Sequence, residues 1–286
     1  GVRLVGSEMC IRDRVNMIIE KLFSKKSKLY NNFKPFFKTL GDRIDEIGLI
    51  HLFSIWTLVV SGIVVRMHSF DRFIYWDWSE SFVSLLKLLV VTYIFIKYMF
   101  PKKIWLAGNK ILTNNEILNH SLLALLLIFF GYINFQIKVP SLVLIIPYLL
   151  VFVSCLMIFQ FTLIFDEKKG TWDIIKWKNK NLILIISFLL MLLSVSLGIY
   201  FNDPIVSTAG MVSSPYALIA LLWPNHVRHI QRARFYPLFT FAMFLCVRAP
   251  WFILPTFFLF FSLRIINYFR YGIAYPSFAV DFLDDE

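Results

Sequence analysis

Long apolar runs alternate with short polar stretches along most of this chain. A helix needs about 20 mainly apolar residues to cross about 30 Å of hydrocarbon. Runs of that order cover residues 47–65, 82–100, 117–135, 142–165, 182–201 and 205–223. A further apolar region, 235–271, is too long for one crossing and holds Arg248-Ala249-Pro250 near its middle. Proline disfavours helix at the residue before it and breaks the hydrogen-bond ladder. That region therefore reads as a hairpin, with a short seventh span over 236–247 (tilted or re-entrant) and an eighth over 251–269. The expected fold is an all-α transmembrane bundle of about eight spans, 47–271, with both termini cytoplasmic.

The basic residues set that orientation, because short cytoplasmic loops collect Lys and Arg. Lysines crowd the zone before span one, and Lys102, Lys103 and Lys110 follow span two. Lys168, Lys169, Lys176, Lys178 and Lys180 follow span four, Arg228, Arg232 and Arg234 follow span six, and Arg270 follows span eight. The alternate loops are poor in base: Lys138 alone follows span three, and the loop after span five has only Asp203. The loop after span one balances Arg66 and Arg72 against Asp71, Asp77 and Glu80, and is expected outside. Before the spans, residues 15–46 form a basic amphipathic segment suited to the cytoplasmic leaflet, with Ile18, Ile19, Leu22 and Phe23 beside Lys21, Lys25, Lys26 and Lys28. Residues 272–286 form an acidic cytoplasmic tail.

Composition agrees with lipid as the solvent. Apolar residues make up 58% and charged residues 16%, with a mean hydropathy of +0.69, against roughly 25% charged in soluble domains. The net charge of +11 sits in loops, so it marks orientation and contact with anionic headgroups rather than nucleic acid. Lipids are thus the expected partners, and the cytoplasmic membrane of a bacterium the expected location. Cys10, Cys155 and Cys246 form no CxxC pair, and no metal site or disulfide framework follows. No cofactor is implied.

Residues 1–14 stand apart. Arg3 to Arg14 (Arg-Leu-Val-Gly-Ser-Glu-Met-Cys-Ile-Arg-Asp-Arg) resembles the translation of a transposase sequencing adapter in one reading frame. That resemblance makes the segment an expected artefact and excludes it from the fold. Without its three arginines and two acids the net charge falls from +11 to +10.

Candidate chemistry is sparse. No Asp or Glu lies in the middle of a span, which argues against ion- and proton-coupled transport. His51, Lys87, His120 and Arg248 lie near headgroup planes and read as interfacial anchors. The segment Asn225–Arg234, expected in the cytoplasm, is the richest: Arg228, Arg232 and Arg234 could hold a phosphate through charge-assisted bonds, with His226 or His229 moving a proton. Desaturase-type histidine boxes need more histidines than this chain has. Residues 68–80 carry Tyr75, Trp76 and Trp78 and read as an external aromatic belt. Their Trp76-Asp77-Trp78 core resembles the tryptophan-rich haem-handling loop of cytochrome c assembly proteins, but that loop is longer and its flanking histidines are largely missing here. Ser207, Thr208, Ser213 and Ser214 lie deepest, either as helix-packing residues or as the lining of a cavity. The intramembrane prenyltransferases have a similar number of helices, but the loops after spans two and six lack the Asp-rich motifs that would hold their Mg²⁺. The sequence thus leans to an enzyme or accessory handling a phosphate-bearing lipid at the cytoplasmic face. An uncoupled transporter or flippase is the alternative, and a structural or assembly subunit the third.

Overall fold

A computed structural model describes residues 18–105, 111–134, 142–161, 163–166, 171–174 and 179–272. The adapter-like string and the acidic tail fall outside these residues, as do Lys110, Lys138, Lys168, Lys169, Lys176 and Lys178.

The described chain is helical apart from one short hairpin. Two helices, α1 (Ile18–Leu22) and α2 (Lys28–Ile47), precede α3 (Leu49–Phe70), α4 (Ser81–Ile94), α5 (Asn114–Tyr132) and α6 (Ile146–Phe159). Strands β1 (Leu163–Asp166) and β2 (Thr171–Ile174) follow, then α7 (Lys180–Tyr200), α8 (Pro204–Leu222), α9 (Val227–Leu245) and α10 (Ile253–Tyr271). Six helical stretches are long and apolar enough to cross a bilayer: His51–Phe70, Ser81–Met99, Asn114–Tyr132, Lys180–Tyr200, Pro204–Leu222 and Pro250–Arg270. This is the architecture of a multi-pass membrane protein. A seventh apolar helix, Val143–Phe159, is shorter.

Three boundaries differ from the sequence reading. The first span runs past Val65 to Phe70, because Arg66 forms a salt bridge with Glu80 and need not end the helix at its charge. The fourth stops at Phe159 rather than 165, and Leu163–Asp166 instead pairs antiparallel with Thr171–Ile174. An apolar run such as Phe161–Phe165 has no period that separates strand from helix. Residues 227–234, expected as loop, are the first turns of α9, which has 19 residues but carries three arginines in those turns and is not among the helices long and apolar enough to cross a bilayer. The break at Arg248–Pro250 stands where proline put it: α9 ends at Leu245 and a 3₁₀ turn, Pro250–Phe252, leads into α10.

The chain divides into two compact units, one of residues through Ile47 with those from Thr256, the other Gly48–Pro255. In the larger unit α3 and α5 approach most intimately at two glycines. A Cβ on Gly62 would fall 1.8 Å from the Ile128 carbonyl oxygen, and one on Gly131 would fall 1.9 Å from that of Val59. Backbones meet this closely in lipid only where side chains are absent. Helix α4 shows the complementary surface. Phe82, Leu86, Leu89 and Tyr93 are exposed on one face, while Ser84, Leu88 and Val91 are buried on the other. An apolar face turned outward has lipid as its natural solvent.

The larger unit has two polar ends. At one, the Lys180 ammonium donates to the Pro224 carbonyl and to Asn225 Oδ1 (3.2 Å), and the Leu112 amide donates to Gln160 Oε1 (3.1 Å). At the other, the Trp76 amide donates to the Val247 carbonyl (2.8 Å), and Asn134 Nδ2 donates to Glu80 Oε1 (3.2 Å). The described residues flanking the loops after spans two, four and six thus lie together, as do those flanking the loops after spans one, three and seven.

Candidate functional site

Of the sequence-predicted anion patch, the structure describes the side chains of Arg232 and Arg234, and it places them differently. The Arg228 side chain lies outside the described residues, and Arg232 is exposed. Arg234 points the other way and is buried. Its Nη1 donates to Gln231 Oε1 (3.0 Å), its Nε donates to the Phe159 carbonyl at the end of α6 (3.3 Å), and its guanidinium lies over the rings of Phe159 and Phe235. A cation at a helix C-terminus meets the negative end of the dipole, so Arg234 is committed to packing. His226 caps α9 by position and its ring lies 4.4 Å from that of His229, centroid to centroid. Burial, then the neighbouring His226 and Arg232, hold the His229 imidazole below its usual range. Among the described residues no group of three His, Cys, Asp or Glu side chains could hold a metal ion.

The deep serines mostly pack. Ser213 donates to the Pro237 carbonyl (3.4 Å), bridging α8 to α9, and Ser214 donates back to the Met211 carbonyl (3.0 Å). Ala209 and Gly210 are buried, and a Cβ on Gly210 would come within 2.7 Å of Val195 Cγ2. Thr208 is exposed. Ser207, one turn into α8, donates to the Asp203 carbonyl (2.8 Å) and lines a cleft described below.

Arg248, read from the sequence as an interfacial anchor, forms a buried cluster with Asp203, His68 and Tyr148 at the end opposite Lys180. The chain builds it from three turns. Asn202 takes a left-handed conformation (φ 55°), which Asn tolerates. Asp203 then caps α8, its Oδ1 accepting from the Ile205 amide (3.1 Å), with Pro204 as first helical residue. The same carboxylate accepts from the Tyr148 hydroxyl at Oδ2 (2.7 Å) and faces Arg248 Nη2 at 3.9 Å. Arg248 is 0% exposed, and so is no snorkelling anchor. Its Nη2 donates to the Arg72 carbonyl (2.9 Å) and to His68 Nδ1 (3.2 Å), and its Nη1 reaches the Val64 carbonyl (3.5 Å). His68 Nε2 lies 3.3 Å from the Phe201 carbonyl. A carbonyl can only accept, so Nε2 carries the proton and Nδ1 receives the bond from Arg248. His68 is thus a neutral relay between α3 and the α7–α8 turn.

Beside the cluster lies an open cleft of about 380 Å³ lined by Arg72, Tyr75, Asn202, Asp203 and Ser207, with Gly198 and Ile199 on its apolar side. Tyr75 and Asp203 are shared: the Tyr75 ring lies 5.6 Å from the Arg248 guanidinium and also faces the cleft. Nearby acids are spent on local structure. Asp71 accepts from the Phe73 amide, Asp77 accepts from the Ser79 amide and hydroxyl, and Glu80 pairs with Arg66. The Arg72 guanidinium lies 4.6 Å over the Phe73 ring, and among the described residues no carboxylate pairs with it. A usable signal did exist in the sequence. A lone arginine inside Leu245–Trp251 must find an acceptor, and Asp203 was the one acid in a base-poor loop expected on the same face. No protein-family model, curated protein or solved structure matches this chain.

Proposed function

We propose that this chain is an eight-span protein of a bacterial cytoplasmic membrane that holds a phosphate-bearing lipid, with both termini in the cytoplasm. The headgroup site in this reading is the cleft beside Arg72 and Asp203, not the Asn225–Arg234 segment. The observation that carries it is the Arg72 guanidinium on the cleft wall without a carboxylate partner among the described residues. Charge-assisted bonds from a guanidinium suit a phosphodiester. Asn202 and Ser207 supply polar contacts, and Ile199 and Phe73 supply an apolar wall for the first carbons of the chain. The buried Arg248–Asp203 pair fixes the floor, so the cleft is preorganised.

The eight spans count α6 and α9 as crossings. Helix α9 begins beside Asn225, which Lys180 contacts, and ends beside Arg248, so it traverses the unit from one polar end to the other. By the excess of base at the Lys180 end, the cleft faces away from the cytoplasm. The bonded, packed state of Ser213 and Ser214 favours this reading over a transport path through α8.

The test is lipid retention by the purified protein, read by native mass spectrometry. Arg72→Ala is expected to lose bound phosphatidylglycerol while Arg232→Ala keeps it, and added inorganic phosphate should not displace it. Equal retention by both variants, or loss with Arg232→Ala alone, rejects the site. Displacement by phosphate would identify a soluble anion as the ligand and reject the lipid.

A further inference from the structure

Helix α2 carries two apolar stripes. One, through Tyr30, Phe37 and Gly41, is covered within its own unit by the last turns of α10. Phe37 stacks on Phe269 with ring centroids 4.5 Å apart, and Tyr30 stacks on the same ring at 5.4 Å. The Tyr30 hydroxyl lies 3.2 Å from the Tyr268 and Phe269 carbonyls. A Cβ on Gly41 would already meet Arg270 Cδ at 2.9 Å. The second stripe is Leu29, Phe33, Phe36 and Leu40, at i, i+4, i+7 and i+11, one continuous helix face. Leu29 and Phe36 are exposed, as are Ile18 and Leu22 of α1, and Phe33 is exposed on one side while its ring meets Phe23 and Phe269 at 6.0 and 6.1 Å on the other.

The charge around this second stripe identifies what covers it. From Lys21 to Lys38 the chain has six lysines and no acid. The unit is also fixed in depth by covalent continuity, because the stripe's neighbours Tyr268–Arg270 are the last turn of the apolar span Pro250–Arg270. An apolar stripe edged with lysine at the mouth of a span meets the headgroup zone of a bilayer. A second copy of the chain would set lysine against lysine. We propose that α2 lies in an anionic leaflet, with Leu29, Phe33 and Phe36 inserted below the headgroups and Lys25, Lys26 and Lys28 on the phosphates. The cluster around Phe269 then ties the end of α10 to the membrane surface.

The probe is an environment-sensitive nitrobenzoxadiazole label on the full chain in nanodiscs, in a Cys10→Ser background where Cys155 and Cys246 are buried. At Phe36→Cys the label should lose most of its fluorescence to nitroxide-bearing lipid in phosphatidylglycerol discs. At Asn31→Cys, on the polar face, it should not. Replacing Lys25, Lys26 and Lys28 by Glu should restore the fluorescence at position 36. Equal quenching at both sites, a label at 36 that is dry but unquenched by lipid (a protein occupant), or quenching unchanged by the Glu replacements each overturns the proposal.

Discussion

The two polar ends of the larger unit use charge in opposite ways. The Lys180 end holds most of the unit's base, and Arg232 there is exposed. The Arg248 end holds fewer charges and ties down most of its base: Arg248 to Asp203, Arg66 to Glu80, and the Lys87 ammonium to the Gly131 (2.9 Å) and Ile133 carbonyls closing α5, with Arg72 left exposed on the cleft wall. Charge in solvent is cheap, and what it carries is orientation. Charge taken out of water must be compensated by specific partners, and that compensation is a local structure. In this molecule exposed base gathers at one end of the unit, and the largest cluster of buried charge lies at the other.

The largest test of that contrast is Arg248→Ala. Breaking a buried pair leaves an uncompensated charge and costs roughly 3–5 kcal/mol. Thermal or SDS denaturation in detergent should show that loss, whereas Arg232→Ala should change stability by less than about 0.5 kcal/mol. Comparable losses for the two would erase the distinction between the ends. Next comes Gly131→Ala. Helix propensity alone predicts a gain of about 1 kcal/mol, but the added Cβ meets the Val59 carbonyl, and overpacking of this kind costs about 1–3 kcal/mol or more. The same assay should report net destabilisation.

Smaller effects sharpen the comparison. Thr113 and Glu116 form a capping box at the start of α5, toward the Lys180 end. Thr113→Ala should cost about 1 kcal/mol, measurable as faster amide exchange in the first turn of α5. In the other unit, Arg270 pairs with half-exposed Asp42 at 2.6 Å. A double-mutant cycle on that pair should return no more than about 1 kcal/mol, because the solvent screens it.

Most of the helical frame was legible because lipid imposes a length and proline a break. The α5, α7 and α8 boundaries fall within three residues of the apolar runs that predicted them. Three misreadings share one cause. Arg66, Arg234 and Arg248 were taken for loop or interface residues by their charge, yet each lies in or against a helix with a partner that the sequence does not name: Glu80, Gln231 and Asp203. Glu80 and Asp203 come from separate turns, and a hydropathy profile carries no information about which turns meet; Gln231 lies one helical turn before Arg234, on a stretch of helix that the sequence pattern reads as loop. The cleft was invisible for the same reason, since Arg72, Asn202 and Ser207 come together only when the turn after α3 meets that between α7 and α8. The Gly62–Gly131 contact likewise depends on a pairing of helices, although small residues in spans are its usual sign.

The most direct measurement is the rate at which a membrane-impermeant maleimide modifies Ser207→Cys, a near-isosteric change on the cleft wall. The native thiols Cys155 and Cys246 are buried, and Cys10 is replaced by Ser. With a headgroup seated at Arg72, labelling in phosphatidylglycerol nanodiscs should be several-fold slower than in phosphatidylcholine, and Arg72→Ala should abolish the difference. Equal rates in the two lipids, or protection that survives Arg72→Ala, would contradict the account.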